Sequence, residues 1–91
     1  MYISKIKMKL GCYNSQLLTE IDEVFVEGCV DPGFYKKATI HDYLKNHPGT
    51  IQVKAPPYPD VIPATSIYGE KYVKSAANSY VRDNLLSLPR V

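Results

Sequence analysis

Four side chains able to hold a metal ion or attack a substrate are spread along the chain: Cys12, Cys29, His41 and His47. Thiolate sulfur and imidazole nitrogen are the usual ligands of zinc and related ions. Five residues separate the two histidines, enough for a ligand pair. The cysteines have no Cys-x-x-Cys spacing to preorganise them. His41 falls inside an expected helix and His47 at its end, where the helix dipole favours a cation in any case. Both histidines therefore read as surface and capping residues, and both cysteines as free thiols. Nucleophilic catalysis has no stronger signature, because no Gly-x-Ser-x-Gly elbow is present. Glu20, Asp22 and Glu23 form an acidic cluster, and alternation puts the first two on one strand face. The plainer reading is a mixed-charge solvated face. The five glycines are dispersed as turn residues and build no phosphate loop. No cofactor and no enzymatic activity are expected, and metal or thiol chemistry is the weakest of three functions the sequence admits.

The other two are recognition functions. Tyr58 lies between Pro57 and Pro59, which makes it a stiff aromatic presented at low entropic cost. This is the candidate surface for a protein or peptide partner, and a non-catalytic interaction module is the leading expectation. Lys5, Lys7 and Lys9 make a basic stripe on one strand face, and Tyr13 stands near enough in sequence to stack a base beside it. Stacking rings with lysines suit single-stranded nucleic acid. A net charge of only +2 argues against a strong field, so nucleic-acid binding ranks second.

Composition bounds these readings. A chain of 91 residues is one domain, here residues 1–91, and buries only about 60–65% of its extended surface. The content is 45% hydrophobic and 22% charged, as in globular proteins. Eight tyrosines and two phenylalanines without tryptophan suit half-buried sheet surfaces. The N-terminal residues are interrupted by charge every second position, so neither a signal peptide nor a membrane span is expected. A cytoplasmic protein, monomeric or homodimeric, is the corresponding expectation.

The elements follow from periodicity. Residues 2–10 alternate, with Ile6, Met8 and Leu10 on one face and the three lysines on the other. Residues 17–27 also fit a helical stripe, but Val24-Phe25-Val26 favours a strand. Paired antiparallel with the first strand, this segment sets Glu20 and Asp22 against the lysines. Asp31-Pro32-Gly33 is a turn, and residues 34–37 are a short extended piece. Thr39 is the expected N-cap of one helix, with Asp42 in its first turn and Ile40, Tyr43 and Leu44 buried. Pro48 and Gly49 end it. Residues 50–54 form a strand with Ile51 and Val53 inward. Four prolines between residues 55 and 63 exclude a central strand there. Extended structure resumes over residues 64–68, and Gly69-Glu70 turns the chain.

The last stretch reads as a strand in which Tyr72, Lys74 and Ala76 alternate with Val73, Ser75 and Ala77. A turn follows at Asn78-Ser79. Asp83 and Asn84 can cap a helical turn before Leu85, Leu86 and Leu88, and Pro89 ends it. Three leucines so close together are expected to fold back onto the body, because burying each contributes roughly 1.5–3 kcal/mol. Tyr72-Val73-Lys74-Ser75 followed by Arg82-Asp83-Asn84-Leu85-Leu86-Ser87-Leu88-Pro89 resembles the ending of a family of short prokaryotic proteins. That family is classed as a domain of unknown function. The resemblance implies a fold and no chemistry. The whole predicts an α+β domain: a small antiparallel sheet of four to five strands with one short helix packed on it.

Overall fold

The computed structural model describes residues 1–77 and 83–91, so the expected turn at Asn78-Ser79 and the motif residue Arg82 lie outside the described residues. The architecture is α+β, with strands β1 (Tyr2–Met8), β2 (Ile21–Glu27) and β3 (Gly33–Lys36), helix α1 (Lys37–Asn46), then β4 (Gln52–Val53), β5 (Val61–Thr65) and β6 (Lys71–Ser75). Short 3₁₀ turns span Leu18–Glu20 and Asn84–Ser87. The strands are divided between a four-stranded sheet, in order β3-β2-β1-β4, and the β5-β6 hairpin. All pairs are antiparallel except β1 with β4. Among the described residues no helix is long and apolar enough to cross a membrane.

Alternation along β1 is interrupted. Its register against β2 shifts between Ile3 and Lys5 and again between Lys7 and Met8. An extra residue in one strand of a pair turns the following side chains over. Ile3, Ile6 and Met8 therefore share the buried face although Ile3 and Ile6 are three apart. The strand stops at Met8, and Leu10, expected to face inward, is fully exposed. In the segment 17–27 only Ile21–Glu27 is strand, with Ile21, Val24 and Val26 inward. Glu20 stays in the preceding turn, Asp22 bonds Lys36, and Glu23 is the acid opposite Lys7.

Helix α1 begins at Lys37, directly after β3, not at Thr39. Its N-cap is Lys36, which makes no side-chain cap. The buried stripe is Lys37, Ile40, His41 and Leu44, the spacing of one helix face. Tyr43 stays exposed and stacks on His47 at 4.4 Å. Lys37 tolerates its position because its ammonium contacts Glu70 at 2.5 Å and the Thr19 carbonyl. Asp42, displaced into the second turn, pairs with Lys71 at 2.8 Å.

The proline-bearing segment is more strand-like than its composition suggests. Val53 N–H donates to the Pro59 carbonyl at 2.9 Å, and Val61 N–H to Ile51 at 2.8 Å, around a bridge between Gln52 and Asp60. Pro59 lacks a donor, but only its acceptor is used. Strand β5 starts at Val61 and carries Pro63 opposite Val73, so extended structure resumes three residues earlier than expected. The chain then turns over Ser66 to Gly69 before β6, with Gly69 N–H donating to Ser66 at 2.9 Å.

The C-terminal residues close the molecule. The Asp83 carboxylate accepts from Leu85 N–H at 2.9 Å and from Ser75 N–H at 3.0 Å, capping a helical turn and holding it to β6. Leu85, Leu86 and Leu88 lie in the same core cluster as Ile3, Ile6, Val24, Ile40 and Val73. Beyond them, Ile6 N–H donates to the Pro89 carbonyl at 3.0 Å and Val91 N–H to Ile6 at 3.1 Å. Arg90 thus bridges β1 in parallel where β4 leaves off.

Candidate functional site

The face of the four-stranded sheet opposite the core meets solvent. Antiparallel pairing puts Lys5 beside Phe25, Phe25 beside Phe34, Lys7 beside Glu23, and Glu23 beside Lys36 on this face. Phe25 and Phe34 pack edge to face with centroids 5.2 Å apart. The Lys5 ammonium rests 4.6 Å from the Phe25 centroid, a favourable cation–π distance. At the other end Tyr2 meets Tyr58 edge to face at 6.4 Å. Tyr58 comes from the loop after β4, with N–H donating to the Ala55 carbonyl at 2.7 Å. It follows Pro57 and holds φ at +58°, a left-handed conformation that a non-glycine residue keeps only when its surroundings enforce it. Tyr58 remains 52% exposed, Tyr2 40% and Phe34 38%.

Two of the lysines on the face are paired with carboxylates. Lys54 contacts Glu27, which holds that carboxyl below its ordinary range. Lys36 reaches Asp22 at 3.2 Å and Glu23 at 3.3 Å, and hydrogen bonding to Asp22 raises its ammonium. Exposed pairs of this kind contribute little stability. Their effect here is to offset part of the positive charge around the rings, while the Lys5 ammonium stays over Phe25.

The basic stripe is not brought together. Lys5 and Lys7 stay on the sheet face, whereas Lys9 leaves it and contacts Glu70 at 2.7 Å. Hydrogen bonds from Lys37 and Lys9 bring the Glu70 carboxyl down from 4.5 to about 2. Lys37 itself is lowered, because burial outweighs its contact with Glu70. Tyr13 lies on the loop between β1 and β2, with its hydroxyl donating to the Arg90 carbonyl at 3.3 Å. The Arg90 guanidinium donates to the Tyr13 and Ser15 carbonyls at 2.7 Å, binding this loop to the C-terminal turn.

The sulfur and imidazole groups have separate environments. Cys12 donates to a Glu20 oxygen at 3.2 Å, and Ser15 donates to the other oxygen. That hydrogen bond to Glu20 pushes the thiol up, away from the thiolate that attacks or ligates. Cys29 packs beside the core with Sγ 3.9 Å from the Val26 carbonyl. His41, expected at the surface, is 1% exposed, and its Nδ1 lies 2.9 Å from the Tyr72 carbonyl. This contact ties α1 to β6. His47 is exposed, its Nδ1 3.1 Å from the Tyr43 carbonyl. Among the described residues no three His, Cys, Asp or Glu side chains stand close enough to share a metal ion.

Two features were missed in the sequence. One is the Phe25–Phe34 pair, whose signal was present: a phenylalanine between inward valines must point outward. The other is an apolar groove of about 520 Å³, with Val26, Cys29, Tyr35, Ile40, Tyr43 and Ile51 in its wall. It lies between α1 and the turn after β2, and no local pattern marks it.

No curated protein and no solved structure matches the chain. The family described as protein of unknown function DUF3892 matches residues 2–89, which covers nearly every residue of the elements above, and the chain belongs to that family.

Proposed function

We propose that the protein is a non-catalytic module that binds a protein or peptide partner on the open face of its four-stranded sheet. Tyr58, held by Pro57 and Pro59, marks one end of the contact surface and Phe34 the other. The observation that carries this reading is the pair of edge-to-face aromatic contacts on a solvent-facing sheet, Tyr2 with Tyr58 and Phe25 with Phe34. Aromatic rings give large contact area for few frozen torsions, and they dominate the energetics of protein interfaces. Their mutual packing and the fixed backbone of Tyr58 reduce the ordering cost of binding. The paired carboxylates among the lysines weigh against a polyanion and towards a polar, mixed-charge partner surface.

Affinity capture with the intact protein and with Tyr58→Ala and Phe34→Ser variants tests the reading. The expected result is that specifically captured partners are lost from at least one variant whose melting temperature is unchanged. Retention of every partner by both variants refutes it. A fluorescein-labelled oligonucleotide in parallel distinguishes the nucleic-acid alternative through Lys5 and Lys7, which requires binding that weakens steeply with salt.

A further inference from the structure

We infer that the partner binds as an extended segment that adds a strand to the outer edge of β3; this rests on the peptide-binding reading and specifies its geometry. The four-stranded sheet has two outer edges. That of β4 is closed by the hydrogen bonds of Val53 to Pro59 and of Val61 to Ile51. That of β3 has β2 on one side only; apart from the start of α1, which Lys36 caps, none of the backbone hydrogen bonds made outside strands and helices by the described residues involves Gly33–Lys36. In an antiparallel pair alternate N–H and C=O groups point away from the partner strand. The edge therefore offers a short row of donors and acceptors whose natural complement is another extended backbone.

Alternation along β3 gives such a segment two different surfaces. Phe34 joins Phe25 on the open face, next to the rings proposed for partner binding. Tyr35 points the other way and lines the apolar groove with Val26, Ile40 and Tyr43. Its hydroxyl donates to the Asp31 carbonyl at 2.5 Å, which fixes the ring over the preceding turn. At about 520 Å³ the groove can take an apolar side chain of the incoming strand. Backbone pairing supplies affinity, and the groove selects apolar residues at alternate positions. Only four residues form the edge, so the segment it accepts is short.

A random-peptide display library selected against the full chain provides the probe, and the best enriched peptide is then synthesised with N-methyl groups at single backbone amides. The expected pattern is apolar residues at alternate positions, at least about tenfold weaker binding on N-methylation of alternate amides, and slowed amide exchange within Gly33–Lys36 on binding. A bound peptide indifferent to N-methylation, or one whose exchange protection is confined to Tyr2 and Tyr58, overturns the strand-addition geometry and leaves the module reading standing. No enrichment over an unrelated control protein overturns both. A dimer protected at the same strand makes a second copy the occupant and likewise refutes the proposal.

Discussion

Leu85 and Leu10 offer a sharp comparison, because both are leucines near the ends of strands or turns and their environments are opposite. Leu85 is 0% exposed, in the turn that touches both β1 and β6, and Leu10 is 104% exposed. Leu85→Ala removes the transfer free energy of the side chain and leaves a cavity in a close-packed core, a combined loss of about 2–5 kcal/mol. For a domain of this size each kcal/mol shifts Tm by roughly 4–8 °C, so the variant should melt at least about 8 °C lower. Leu10→Ala removes a side chain that touches solvent and should change stability by less than about 0.5 kcal/mol. Thermal unfolding followed by circular dichroism, with urea titration for ΔG, measures both. A loss below 1 kcal/mol at Leu85, or equal effects at the two sites, would refute the claim that the C-terminal turn belongs to the core.

The ion triad of Lys9, Glu70 and Lys37 predicts an acid response. Because the Glu70 carboxyl is depressed in the folded state, its contribution is complete above about 4.5 and fades as pH falls towards 2. Urea titrations between those pH values should therefore show a steeper loss for the wild type than for Glu70→Gln. At neutral pH the same substitution leaves the Lys37 ammonium half-paired and destabilises, whereas Lys37→Met, which removes the buried charge, should cost less. At Cys12 the Glu20 carboxylate suppresses the thiolate, so Glu20→Gln should speed alkylation of Cys12 by iodoacetamide at pH 7–8, read by peptide mass spectrometry. An unchanged rate would count against the thiol–carboxylate contact.

Local pattern was enough for the class of fold and for most strands, since Val24-Phe25-Val26 and Ile51 to Val53 have no comfortable place outside a sheet. It failed where a distant residue decides. The stripe of α1 begins with Lys37, which looks like a surface residue until Glu70, 33 positions away, accounts for its burial. His41 is similar: its Nδ1 meets a carbonyl 31 positions on, while its Nε2 is buried without a hydrogen-bond partner among the described residues. The interruption of β1 near Ser4 depends on its partner's register, and a period of two continued past Met8, where the strand ends, put Leu10 inside. For the site, Tyr58 was visible because the prolines that stiffen it are its neighbours. The Phe25–Phe34 pair and the groove arise only from strand register and the position of α1.

The pairing of Ile6 with the segment around Arg90 joins two parts of the chain that lie far apart in sequence. As the polypeptide emerges, one flank of the first strand lacks its final neighbour until residues 89–91 have appeared. Such distant contacts exact their loop-closure entropy before they return any stabilisation, which slows folding. Strand β1 is thus among the last to be completed, and a nascent molecule carries that gap until the segment around Arg90 has followed it.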